Sequence, residues 1–124
     1  MSKIESFKDL IVYHKAYKLA MEIFEISKSF PKEEKYSLTD QIRRSSRAVT
    51  SCIAESWARR RYEKSFVSKL IDSLGEEFET ETWLDYSHDC KYISNADHVR
   101  LLQEYNEVKK MLISMINNPS KWCP

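Results

Sequence analysis

Glycine is nearly missing from this chain: Gly75 is the only one among 124 residues, and there are only three prolines. A chain so short of turn formers cannot make many tight turns, which excludes a turn-rich architecture and argues for few, long elements. Long apolar runs are missing too. None approaches the roughly 18 residues of a membrane-spanning helix, and MSKIESFKDL at the start lacks the apolar centre of a signal peptide. Cysteine is sparse and scattered: Cys52, Cys90 and Cys123 give neither an even-numbered disulfide framework nor a Cys-x-x-Cys metal pair. A reducing, cytoplasmic setting and no membrane partner are therefore expected. Large net charge is absent as well; the formal value is +1, so nothing pulls the whole molecule toward nucleic acid or lipid.

The length fits one domain spanning 1–124, large enough to bury roughly two-thirds of its unfolded surface without staples. Its most informative stretch is SLTDQIRRSSRAVTSCIAESWARRR, residues 37–61. Leu38, Ile42, Val49, Ile53 and Trp57 recur mostly at four-residue steps, with a gap at Ser45 and Ser46. They trace one apolar stripe of a helix. Arg43 and Arg47 stand one turn apart on another face. Arg61 shares their azimuth if the helix continues that far. Ser37, three residues before Asp40, resembles a capping box.

Four helices are expected, at about 7–29, 38–60, 63–90 and 96–118, with a loosely held tail at 119–124 in which Trp122 docks locally. Ser6 is a candidate cap for the first helix. One of its faces carries Leu10, Tyr13, Tyr17, Ala20 and Phe24, widened by Ala16, Leu19, Ile23, Ile26 and Phe30, a band broad enough to meet two neighbours. Pro31 stops it. The third helix shows Phe66, Val67, Leu70, Ile71, Leu74 and Phe78 as its stripe. Gly75 inside it points either to the close approach of a neighbour or to drift. Asn95 caps the fourth, which carries Val99, Leu102, Tyr105, Val108, Leu112, Met115 and Ile116. Connections near 31–37, 60–63 and 91–95 are short, so successive helices run antiparallel. The expected fold is all-α, an up-down-up-down four-helix bundle.

Charge is segregated along this frame. Residues 41–64 hold Arg43, Arg44, Arg47, Arg59, Arg60, Arg61 and Lys64 against Glu55 and Glu63 alone. Residues 72–89 hold Asp72, Glu76, Glu77, Glu79, Glu81, Asp85 and Asp89 with no Lys or Arg. The cations are the candidate nucleic-acid-binding set: arginines can contact phosphates, while Trp57 and Tyr62 can stack on unpaired bases. The competing reading pairs them with the acidic helix or with another subunit. Opposite charges on one protomer suit head-to-tail association. The aromatics Tyr13, Tyr17, Phe24, Phe30, Tyr36, Trp57, Phe66, Phe78 and Trp83 exceed what a slim core needs, which also points to subunit contacts.

No catalytic centre is expected. Glu81, Asp85 and His88 give one carboxylate-x-x-His spacing, whereas carboxylate-bridged bundles use two, with further glutamates from other helices. A solvated acidic face accounts for it better. His88 and Cys90 are too few for zinc, and His14 and His98 stand alone. Cys52 has no His within helical reach and is read as a packed thiol. Neither a phosphate-binding Gly loop nor a nucleophile elbow is present. No cofactor and no metal are implied.

LTDQIRRSS, IAES and the following arginines, together with FKDLIVYHKAYKLA, SFPKEEKYSLTDQIRRS and the long acidic third helix, resemble the four-helix-bundle proteins encoded in intervening sequences of bacterial large-subunit (23S) ribosomal RNA genes. The resemblance spans roughly residues 7–118. Where that family usually has Asn-Ile-Ala-Glu-Gly, this chain has Cys52, Ile53, Ala54, Glu55 and Ser56, so no role of that Asn or Gly transfers. The resemblance implies the bundle and a homo-oligomer, a pentamer above all. The family is also similar in fold to accessory proteins of diversity-generating retroelements, basic rings that work with reverse transcriptase and nucleic acid. By that analogy RNA is the favoured partner. The alternative is an adaptor that binds only protein and uses its arginines between subunits.

Overall fold

The computed structural model describes residues 3–124. Four helices fill the chain: α1 (Ile11–Ser27), α2 (Asp40–Ala58), α3 (Glu63–Asp89) and α4 (Asn95–Asn117). Among the described residues there is no strand, and the protein is an all-α four-helix bundle. Each helix packs on its sequence neighbour and α1 closes against α4, with α2 and α3 in the most extensive contact.

Several boundaries differ from the pattern reading. Ser6 caps a short 3-10 turn, Phe7–Asp9, through a full capping box with Asp9. Leu10 is then extended (ψ 130°) and buries its side chain before α1 begins, so the expected first helix is two pieces. Ser37 caps nothing. It lies in a π-type turn, Lys35–Thr39, that runs straight into α2, and its hydroxyl donates to Glu34 at 2.7 Å. Ser94, not Asn95, caps α4, accepting from the Asp97 amide at 3.0 Å. Lys91 has φ 66°, the left-handed position after α3 that glycine usually fills, and the Tyr92 amide donates back to the Ser87 carbonyl at 2.8 Å.

The core of α2 is where its pattern puts it: Leu38, Ile42, Val49 and Ile53 are buried, and Ser45 and Ser46 fill the gap. On α1 the core line is Val12, Ala16, Leu19, Ala20 and Ile23, while Tyr13 and Phe24 sit at its edge and Tyr17 is exposed. On α4 Leu101 is buried and Val99 is 53% exposed, because the buried line runs Leu101, Tyr105, Val108, Leu112, Met115. The apolar stripe expected on α3 needs the largest correction. Phe66 and Leu70 are buried, but Ile71 and Phe78 are 52% and 51% exposed. The inward line continues as Ser73, Glu77, Thr80, Leu84 and Ser87.

Small polar side chains fit there because α2 lies against them. Ser73 Oγ donates to the Val49 carbonyl at 2.8 Å, and Thr80 Oγ1 donates to Ser45 Oγ at 2.9 Å. Gly75 is not a contact device: a Cβ added there would meet nothing within 4 Å.

Glu77 is the costly member of this line. It is fully buried, and neither of its oxygens meets a hydrogen-bond donor; the buried Tyr105 hydroxyl is likewise unpaired. Burial, followed by the neighbouring Glu81 carboxylate, pushes the Glu77 carboxyl up to about 9. It is therefore protonated at neutral pH, beside Glu81, which Lys109 holds at 3.0 Å from α4.

Candidate nucleic-acid interface

The seven cations singled out by sequence divide between α2 and the turn after it. Helix α2 ends at Ala58, and Arg59 has left helical geometry (φ −97°, ψ 8°). Arg59, Arg60 and Arg61 therefore stand in the α2–α3 turn, and Arg61 does not continue the azimuth of Arg43 and Arg47. Lys64 opens α3 and is exposed.

Along α2 the arginines have separate roles. Arg43 is half-buried. Its Nε donates to Ser27 Oγ at 2.8 Å, and its guanidinium lies 4.8 Å from the Phe24 ring centre, tying α2 to the last turn of α1. Arg44 crosses to α3, pairing with Glu76 at 3.3 Å and with Glu79. That guanidinium, above all, holds the Glu79 carboxyl below its usual range. Arg47 is exposed, 5.6 Å from the Phe24 centroid, and has no ion pair. Phe24, Asp40, Arg43, Arg44, Arg47 and Ser51 line an open groove of about 640 Å³.

In the turn, Arg59 pairs with Glu55 at 3.5 Å and reaches Ser65 at 3.3 Å. Glu55 is also held by Lys69 at 2.6 Å, the chief cause of its lowered pKa. The Arg60 guanidinium carbon lies over Trp57, 3.6 Å from the ring centre, with Nε donating to the Trp57 carbonyl at 3.0 Å. Arg61 is exposed. Among the described residues, Arg43, Arg47, Arg60, Arg61 and Lys64 have no ion-pair partner, although the acidic helix is next door. The expected pairing across the bundle is thus realised by Arg44 alone of the seven.

The acids of α3 find other partners. Glu81 meets Lys109; Asp85 accepts from His98 at 2.9 Å; His88 faces Asp89 at 3.0 Å and, on its other nitrogen, Asn95. Asn95 and Asp89 raise the His88 pKa, the former more. Glu81, Asp85 and His88 therefore do not converge, and among the described residues no three His, Cys, Asp or Glu side chains are grouped to hold a metal. The Cys52 thiol is buried, which pushes its pKa up and keeps it in the inert form.

Trp122 joins this surface from the end of the chain. Residues Pro119–Lys121 form a 3-10 turn, and Trp122 packs edge-on against Trp57, ring centres 6.4 Å apart. The isolated tryptophan in an otherwise polar tail was the available signal.

The molecule is thus a helical bundle with un-neutralised arginines on α2 and on the turn that follows it. The family described as 23S rRNA-intervening sequence protein matches residues 8–114, and the chain belongs to that family. The chain is also similar to a solved structure from Bacteroides thetaiotaomicron VPI-5482, a protein of unknown function from the S23 ribosomal protein family. The two share 28% identity and a TM-score of 0.76, over 86% of this chain and 96% of that one. No curated protein matches it. No helix is long and apolar enough to cross a membrane.

Proposed function

We propose that this protein is a non-enzymatic, oligomeric nucleic-acid-binding bundle, with RNA the favoured ligand, acting through Arg43, Arg44, Arg47, Arg59, Arg60, Arg61 and Lys64. The observation that carries the reading is the set of cations left without carboxylate partners beside a helix rich in carboxylates. Arg47, Arg60, Arg61 and Lys64 are the direct phosphate contacts. Arg43, Arg44 and Arg59, held by other side chains, shape the surface and add long-range field. Eleven positions separate Arg47 from Ala58, about 17 Å at 1.5 Å per residue, so the groove and the turn form two neighbouring phosphate subsites. The family is named for 23S rRNA intervening sequences, which fits an RNA ligand without requiring one.

Oligomerisation belongs to the same proposal. Ile71 and Phe78 on α3, and Tyr17 and Met21 on α1, are large apolar side chains about half exposed. Covering them with further copies, as a pentamer by family resemblance, would repeat the basic surface and multiply modest contacts. A micromolar monomer in light scattering would remove this part. The test of binding is a filter-binding series with structured and single-stranded RNA at low and physiological salt. Arg59→Ala, Arg60→Ala and Arg61→Ala combined should weaken binding while the oligomer stays intact. Equal binding by that variant, or no binding by the parent at low salt, defeats the reading. An adaptor that binds only protein is the second reading, favoured by the internal pairing of Arg44 and Arg59. A nuclease-insensitive pull-down would support it.

A further inference from the structure

We propose that the pocket between the α2–α3 turn and residues 119–124 takes one unpaired nucleotide of the bound strand, with its base against the tryptophans and its phosphate on Arg61. The proposal rests on the nucleic-acid reading above and names what that ligand must contain. The cavity is about 470 Å³ and is lined by Trp57, Ala58, Arg60, Arg61, Trp122 and Cys123. That volume falls in the range of small-ligand sites, about 300–1,000 Å³. Trp57 and Trp122 meet edge-on at 65°, ring centres 6.4 Å apart, so the two rings are not stacked in parallel on each other. Arg60 is fixed at 3.6 Å over Trp57 and anchored to its carbonyl, a cation placed in advance. Arg61, beside it, has no ion pair or side-chain hydrogen bond among the described residues. No Asp or Glu side chain lines the cavity, which Pro124 completes; Glu63 lies near enough only to help burial raise the Cys123 thiol.

The lining therefore selects a ligand that is flat and apolar on its faces and anionic at one edge. A free phosphate leaves the tryptophans without a partner. A paired base keeps its faces covered inside the duplex. An unpaired nucleotide in a loop, bulge or overhang offers both features. No Asn, Gln, Asp or Glu side chain lines the cavity, and its two arginines are engaged by Trp57 and by the phosphate, so the pocket discriminates little among bases.

The test is fluorescence anisotropy on the full chain at low salt, with a blunt RNA duplex and the same duplex carrying a single-stranded overhang. The overhang should tighten binding on the order of tenfold, with little change between a uridine and an adenosine overhang. Trp122→Ala should bring the two RNAs to equal affinity. Trp122→Phe should keep the preference, and Cys123→Glu, a charge at the half-buried wall, should abolish it. Circular dichroism confirms that each variant is folded. A parent that binds both RNAs equally, or a Trp122→Ala protein that retains the preference, overturns the pocket while leaving phosphate binding standing. Failure of both RNAs to bind at low salt overturns the functional reading and the pocket with it.

Discussion

Helices α2 and α3 lie side by side and are built on opposite plans. α2 buries the apolar residues its sequence displays and shows cations outside. α3 buries Ser73, Glu77, Thr80 and Ser87 over much of its length and leaves Ile71 and Phe78 outside. The difference shows that an apolar stripe sets a helix's phase only when its neighbour leaves room for large side chains. Where α2 presents Ser45, Ser46 and Val49, α3 must answer with small polar groups, and its large side chains turn outward. Charge follows the same asymmetry. The acids of α3 are taken up by Arg44, Lys109, His98 and Lys69, whereas α2 and its turn keep cations with no ion pair among the described residues.

The largest test of this contrast is pH. Glu77 holds its proton in the folded state up to about 9, against 4.5 for the free side chain. Between those values the folded protein binds more protons than the unfolded chain, so this group's stabilisation is full at low pH and is lost as pH rises. The slope is at most about 1.4 kcal/mol per pH unit. The lowered carboxyls of Glu55 and Glu79 act oppositely, losing their contribution as pH falls. Urea melts should show the decline across pH 5 to 9, levelling off at the alkaline end, and Glu77→Gln should flatten it. An unchanged profile in that variant would mean Glu77 is ionised in the fold.

Next is the close seam. Ser73→Leu forces bulk against the Val49 backbone and should cost about 1–3 kcal/mol in a denaturant melt. A neutral result would mean α2 and α3 can separate freely. Gly75→Ala, on the open side of α3, should stabilise by about 1 kcal/mol, because only backbone entropy is at stake. Smallest on the protomer is Phe78→Ser, expected within about 0.5 kcal/mol of the parent for intramolecular stability. If it instead shifts the sedimentation profile toward smaller species, the outer face of α3 lies between subunits.

The bundle was legible from sequence because its four amphipathic stretches are long and its turn formers few. The α2 core could be read residue by residue, since Leu38, Ile42, Val49 and Ile53 have no rival apolar face. The α3 phase could not. Val67, Ile71, Leu74 and Phe78 form a stripe as regular as the true one, and only the shape of α2 decides between them. The candidate interface was visible as a cluster of arginines. Its division into held and free side chains was not, because Ser27, Phe24, Glu76 and Glu79 meet α2 only in three dimensions. The end of α2 at Ala58 also escaped the pattern: arginine is a good helix former, and nothing in ARRRY marks a stop.

The central claim is that, of the cations without carboxylate partners, Arg47, Arg60, Arg61 and Lys64 are the ones that meet phosphate. It is tested most directly by the salt dependence of RNA affinity. The logarithm of the binding constant against the logarithm of salt should be steep for the parent. It should become shallower by about 0.7–0.9 for each of Arg47→Ala, Arg61→Ala and Lys64→Ala. Arg44→Ala, whose guanidinium is already held by Glu76 and Glu79, should leave the slope as it was. A flat parent, or an Arg44→Ala protein that loses as much slope as the other three, would contradict the account.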